Sequence, residues 1–371
     1  MLIRIARLVC GLLALVCTSL HAMPVGQLHR TTTTATAAVR DADHSANLRI
    51  TVWYPAADDA VEAPLKIGPP AGALFVSGSA SDDAAFAAGT FPVVLFSHGF
   101  GGTARMMGWF GTALARAGYV VVAVDHPGNN GLDAMTIAGA TILWERPEDL
   151  RAALAAVRTD TVIAPHLDMN RLGVAGFSLG GFTALASAGA QVNMDRLAAF
   201  CQAHADDPTC RPQKEAPDMT LVKRLHAMES PPLAALRAHA NDDHSIAGVK
   251  AVFVMAPGPL QGIDPASLAA LKTPTAIVLG DADNVAPPAT NGEVAAQLLP
   301  NATLNRLPNV GHYDFLGTCT DAGRKQVPLC AVSVPQDATH ETTIALAEAF
   351  FARNLASSAA VQTPSPPKPS P

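Results

Sequence analysis

The five residues Gly176-Phe177-Ser178-Leu179-Gly180 constrain this chain more than any others, because its character changes across them. Before them, Arg171-Leu172-Gly173-Val174-Ala175 is a short apolar run of the buried-strand kind. After them, Phe182 to Ala190 is rich in alanine, with no breaker until Gly189. A serine bracketed by glycines, entered from a strand and left by a helix, fits a tight, strained turn that lifts its hydroxyl clear of a sheet. Side chains two positions to either side would collide with that turn. The helix that follows has N–H groups without intrahelical partners beside the hydroxyl.

With 371 residues, 49% of them hydrophobic and 15% charged, the chain can bury a large core, and one α/β domain is as compatible with this length as two. Residues 1–22 read as an export signal: Arg4 and Arg7 give the positive start, Leu8 to Val16 the apolar centre, and Leu20-His21-Ala22 a small-residue exit. The apolar run is short for a membrane span, and bulky Val16 argues against lipidation of Cys17. Loss of this segment removes two arginines and no acid, leaving 23 basic against 31 acidic residues, a net charge of −8. No basic cluster or basic helix face stands out, which argues against nucleic acid or stable membrane insertion and for a small-molecule partner. Cys201, Cys210, Cys319 and Cys330 survive cleavage. An even count in an exported chain favours disulfides over metal ligation, and of the three pairings the short separations favour Cys201–Cys210 and Cys319–Cys330. Free buried thiols are the competing reading.

Val25 to Val39 and Leu48 to Tyr54 read as antiparallel strands, and Ala56 to Thr90, rich in Gly, Pro, Ser, Ala and Asp, as a long surface connection. From there strands and helices alternate. Pro92–Phe96, Tyr119–Val124, Arg171–Ala175, Val249–Met255 and Thr275–Leu279 are strands; Ala104–Ala117, Pro147–Val157 and Ser267–Leu271 are helices. Near-continuous apolar strands covered by helices mean a mostly parallel central sheet with antiparallel N-terminal strands. Residues 191–247 break the rhythm with charges, prolines, histidines and two cysteines. They read as a helical cap inserted over the mouth of a site, against a disordered loop as the alternative. Residues 23–356 thus form one domain carrying this insertion, and Pro/Ser-rich 357–371 is a disordered tail.

A serine hydroxyl needs a base to take its proton and an acid to orient that base. On sheets that carry such a turn, these follow in the order Ser, acid, His. His312, in Gly311-His312-Tyr313 after the edge-strand run Leu304–Leu307 and before the helix Thr339–Asn354, is the candidate base. His340 falls at a helix start and competes poorly. For the acid, the strand Thr275–Leu279 leads into Gly280-Asp281-Ala282-Asp283. Asp283 lies deeper in the loop and is preferred; Asp281 is the alternative. Ser97-His98-Gly99-Phe100-Gly101-Gly102 follows the strand at Pro92, so the Phe100 and Leu179 N–H groups are the expected oxyanion donors. His98 reads as a pin for this loop. His126 reads as a pocket-lining or a hydrogen-bonded structural residue, and Glu145-Arg146-Pro147 with Asp149 as a structural ion-pair cluster. The glycine-rich loop lacks the Lys and Ser/Thr of a phosphate loop, and no metal spacing stands out among the histidines and cysteines.

Trp53-Tyr54-Pro55, Phe96-Ser97-His98-Gly99 through Gly102, Trp144-Glu145-Arg146-Pro147, Gly176 to Gly181 and Gly311-His312-Tyr313-Asp314-Phe315 together resemble the exported α/β-hydrolases called predicted dienelactone hydrolases, relatives of the platelet-activating-factor acetylhydrolases. The likeness runs from about Leu48 to the C-terminal helix. It implies the α/β-hydrolase fold and cofactor-free cleavage of carboxylic esters through an acyl-enzyme, with short acyl or aryl esters ahead of phospholipid acyl groups. Two departures matter. True dienelactone hydrolases use a cysteine nucleophile where this chain has Ser178. The acetylhydrolases take their acid after the earlier strand, where this chain has Ala256-Pro257, which again favours Asp283. The rivals are a peptidase or acyltransferase using the same three residues, and a non-catalytic binding protein on the same scaffold.

Overall fold

The computed structural model describes residues 22–332 and 334–356. The expected export signal, apart from its last residue, and the expected tail at 357–371 lie outside the described residues. Among the described residues eleven strands form the sheet: β1 Val25–Thr33, β2 Asn47–Pro55, β3 Ala63–Ile67, β4 Phe75–Asp82, β5 Phe91–Ser97, β6 Val120–Asp125, β7 Leu167–Phe177, β8 Val249–Met255, β9 Thr275–Gly280, β10 Ala302–Leu307 and β11 Thr318–Cys319. Their order is β10-β9-β8-β7-β5-β6-β2-β1-β4-β11, with β3 on β4. From β10 to β6 every pairing is parallel; β2 joins β6, and β1 joins β2, antiparallel. The chain has the α/β-hydrolase fold.

The central strands explain themselves. All residues of β5, β6 and β9 are buried, as a parallel strand covered on both faces requires. Alternation then divides the core. Val93 and Leu95 pack on one face with Leu150, Ala153 and Phe182, while Val94 and Phe96 pack on the other with Phe110, Leu114, Phe350 and Phe351. Helices Arg146–Val157 and Leu179–Ser187 cover the first face, and Gly108–Arg116 and Gln336–Asn354 the second. Each fully buried Leu, Val or Phe contributes about 1.5–3 kcal/mol of hydrophobic stabilisation.

β5 lies at a switch point: the chain passes from it to β6 on one side, while β7 is its neighbour on the other. Crevices form beyond the C-terminal ends of strands at such points. Ser97, the last residue of β5, pairs with Gly176 of β7, so the loops after both strands leave from the same place.

Two parts of the sequence reading change. Residues 56–90 are not only a surface connection, because β3 and β4 lie within them. Beyond Phe75 the inward positions of β4 are small because the helix Gly108–Arg116 sits tightly on the strand: Ser77 Oγ accepts from the Trp109 N–H at 3.0 Å and donates to Met106 O at 2.9 Å. Ser, Gly and Ala in that role look like loop composition. β1 ends at Thr33, and the stretch read as its continuation forms a short helix, Ala37–Arg40, that turns Arg40 into the interior. The two-residue β11, which pairs with β4, has no apolar run to mark it; the remaining strands lie where apolar runs placed them, with shifts at their ends.

Residues 191–247 contain the helices Met194–Ala203, Leu221–Ala227 and Pro231–Arg237. Cys201 is bonded to Cys210 there, and Cys319 to Cys330 near the C-terminal helix. No helix among the described residues is long and apolar enough to cross a membrane.

Candidate active site

Ser178 stands at the junction of β7 and the helix Leu179–Ser187 with φ 54° and ψ −119°, a conformation that non-glycine residues rarely adopt and that persists only where the surroundings enforce it. The bracketing glycines are those surroundings. A Cβ on Gly176 would lie 2.0 Å from Gly180 O, and one on Gly180 would lie 1.8 Å from Ser97 O. No other residue permits this bend against β5.

The loops after β9 and β10 bring two more side chains to Ser178. His312 is buried, with Nε2 2.9 Å from Ser178 Oγ and Nδ1 2.7 Å from Asp283 Oδ2. The other Asp283 oxygen accepts the N–H groups of Val285 and Ala286, both at 2.8 Å. These bonds fix the carboxylate and leave Oδ2 for the ring. Asp281, by contrast, is exposed and accepts the Asn309 N–H at 2.5 Å, so it braces the loop after β10 and does not reach His312. Burial pulls the His312 pKa down, but the charge and hydrogen bond of Asp283, with the charge of Glu215 beyond, outweigh it and hold the ring above its usual 6.5.

The loop after β5 is held at several points. Gly101 N–H donates to Asn129 Oδ1 at 2.8 Å, Gly102 N–H to Gly99 O at 3.2 Å, and Ala104 N–H to Asp125 Oδ1 at 2.8 Å. Among the described residues neither the Phe100 nor the Leu179 N–H has a protein acceptor, and both residues line the cavity that contains Ser178 and His312. Leu179 opens its helix, where the first N–H groups have no intrahelical carbonyl to reach.

Beneath that loop lies a sealed polar network. Asp149, fully buried, accepts two bonds from Arg40, at 2.6 and 2.7 Å, and one from His126 Nδ1 at 2.8 Å. His126 Nε2 meets Ser97 Oγ at 2.9 Å. Arg146 bonds Ser97 Oγ at 3.2 Å, the His98 carbonyl, and Thr183 Oγ1 at 3.0 Å. One guanidinium therefore ties the loop after β5 to the helix that begins at Ser178. Burial, with Arg146 adding repulsion, drives the His126 pKa to about 3, so the ring is neutral and its Nδ1–H donates to Asp149. Burial raises the Asp149 pKa, but Arg40 and His126 overcome it and bring it to about 2. His98 accepts the His126 N–H on Nε2 at 3.2 Å, and its Nδ1 bonds Gly99 O at 2.7 Å. His126 is thus part of this network and not a pocket wall. His340 stacks on Trp109 at 3.9 Å and bonds Leu316 O, remote from Ser178.

Residues 191–247 supply side chains that sequence reasoning did not single out. Glu215 accepts from Tyr313 Oη at 3.3 Å, and burial raises its pKa. Glu215, Arg224, Leu197 and the Cys201–Cys210 bridge all line the same cavity as Ser178. No pattern marks such residues in a segment without periodicity. Among the described residues no group of His, Cys, Asp and Glu is placed to hold a metal ion.

The family described as serine aminopeptidase, S33 matches residues 90–315, more than half of the chain and the whole stretch from β5 to the loop of His312. The chain belongs to that family. Shorter matches connect this S33 member to two curated proteins. It is 31% identical over 128 residues to a bis(hydroxyethyl) terephthalate hydrolase of Streptomyces coelicolor, covering 34% of this chain and 36% of that protein. It is 33% identical over 94 residues to cutinase est2 of Thermobifida alba, covering 25% of this chain and 28% of that protein. The match thus spans about a third of the length of these relatives. A solved structure described as a ferulic acid esterase from Streptomyces cinnamoneus superposes with a TM-score of 0.59 over 92% of this chain and 94% of that one, at 20% identity. At that identity the likeness is one of fold.

Proposed function

We propose that this S33 member is an exported serine hydrolase that cleaves carboxylic esters through an acyl-enzyme. The observation that carries the reading is the unbroken hydrogen-bonded line from Ser178 through His312 to Asp283 at the base of a cavity. Ser178 Oγ attacks the ester carbonyl while His312 Nε2 takes its proton; Asp283 keeps the proton on Nδ1 and stabilises the imidazolium. The Phe100 and Leu179 N–H groups receive the developing oxyanion. His312 then delivers its proton to the leaving alkoxide, and water repeats the sequence on the acyl-enzyme. Ester-cleaving relatives and the resemblance to dienelactone hydrolase-like proteins support ester over amide substrates. Two disulfides support an oxidising compartment outside the cytoplasm.

A panel of p-nitrophenyl esters of graded chain length, aryl esters, lactones and aminoacyl anilides tests this. Turnover of short or aryl esters without turnover of the anilides is expected. Cleavage of anilides alone would replace the reading with a peptidase, and no turnover with either would favour a binding protein.

The pH profile is a second test. Only the neutral imidazole can take the Ser178 proton, and its pKa lies above 6.5. For a neutral ester kcat/KM should therefore rise with pH through a midpoint above 6.5, since this ratio reports the free enzyme. A midpoint at or below that value contradicts the coupling of His312 to Asp283.

A further inference from the structure

Among the described residues, Arg224 is the one cavity-lining cation that the proposed chemistry leaves without a role and the fold leaves without a salt-bridge partner. It projects from the helix Leu221–Ala227, is partly buried, and shares the cavity with Ser178 and His312. Its Nε is sealed from solvent with no acceptor, and among the described residues no carboxylate pairs with its guanidinium. Several other arginines are paired. Arg40 is clamped by Asp149, Arg116 by Glu62 at 2.7 Å, and Arg30 by Asp160 at 2.6 Å. Arg211, the other arginine of the cavity, is exposed and within 3.9 Å of Asp206. Glu215 lines the cavity too, but its carboxylate accepts from Tyr313 Oη, and among the described residues no ion pair joins it to Arg224.

A guanidinium whose Nε–H is sealed from water without an acceptor is unfavourable unless something else supplies one. Burial lowers the Arg224 pKa only to about 10, so it stays charged at neutral pH. Its planar fork of donors matches an oxyanion such as carboxylate or phosphate, which it can hold through two parallel bonds. We propose that Arg224 binds an anionic oxygen group carried by the substrate, so that the preferred esters are acidic ones, with the scissile carbonyl at Ser178 and a carboxylate or phosphate elsewhere on the same small molecule. This rests on the ester-hydrolase reading and gives it a substrate class.

The test compares methyl benzoate, monomethyl terephthalate and methyl 4-phosphonooxybenzoate, which share the ester and differ in the group para to it. The expected result for the wild type is kcat/KM roughly tenfold or more higher for an acidic ester than for methyl benzoate, carried by KM, as a charge-assisted bond implies. Arg224→Gln should abolish that preference, Arg224→Lys should restore part of it, and Arg211→Gln should keep it. Preference for the terephthalate alone identifies a carboxylate, and for the phosphonooxy ester alone a phosphate. Equal measurable rates on all three, or an equal loss on all three in Arg224→Gln with the fold intact by circular dichroism, overturns the proposal. Calorimetry on Ser178→Ala separates this from the esterase reading, since binding needs no turnover. Tighter binding of the acidic esters there upholds the Arg224 site even if the wild type cleaves none of them, and equal binding overturns it.

Discussion

Asp283→Asn is expected to lower kcat by about 10⁴-fold while leaving the fold in place, the scale of loss when a triad acid is replaced by its amide. The geometry gives the reason. Asp283 Oδ1 is held by two backbone N–H groups, so the group facing His312 Nδ1 is the one that sits at Oδ2. In the asparagine variant the carbonyl stays with the backbone donors and the amide NH2 turns to the ring. Nδ1 must then accept, the proton moves to Nε2, and Nε2 can no longer take the Ser178 proton. Asp281→Asn should change kcat by no more than about twofold, as for a surface substitution, because Asp281 is exposed and its carboxylate accepts the Asn309 N–H and does not face His312. Steady-state kinetics on p-nitrophenyl acetate measures both; the reverse ranking would move the acid to Asp281.

Asp149→Ala is expected to destabilise the protein by about 3–5 kcal/mol, the cost of removing one partner from a buried ion pair. Arg40 would keep its charge in the interior without a counterion, His126 would lose the acceptor of its Nδ1–H, and Arg146 would lose a nearby opposite charge. The effect has a pH signature. The folded Asp149 pKa of about 2 lies below the ordinary 3.8, so its stabilisation is fully present above the ordinary value and is lost as pH falls through the folded one. Urea unfolding of wild type and variant should show the full gap at neutral pH and a narrowing gap below 3.8. Asp149→Asn, which keeps the shape and removes the charge, should lose most of the same stability if the alanine variant does not fold. A cost below about 1 kcal/mol, ordinary for a single substitution, would mean that the network does not depend on that charge.

The parts of this molecule that could be read in the residues are those where local and global demands agree. A glycine-bracketed serine between a strand and a helix allows one backbone solution, and Gly311-His312 after an edge strand has one loop to occupy. Asp283 could be preferred over Asp281 by depth in the loop, although the deciding bonds from Val285 and Ala286 are visible only in three dimensions. Short separations pointed to the Cys201–Cys210 and Cys319–Cys330 pairs that the structure contains. Other features have no local signature. β4 is built from small residues because a helix presses on it, so its composition imitates a loop. The Arg40–Asp149 pair joins residues 109 positions apart, a distance over which charge pattern carries no information. Glu215 lies outside the segment's helices and Arg224 on a seven-residue one with no fully buried residue, so nothing local marks these two side chains as turning inward.

The nucleophile itself can be observed. The intact protein is treated with a fluorophosphonate, digested, and the adduct located by tandem mass spectrometry. A single phosphonyl group on Ser178 is expected, absent in Ser178→Ala and strongly slowed in His312→Ala. An adduct on another side chain, or undiminished labelling of the Ser178→Ala protein, would contradict the account.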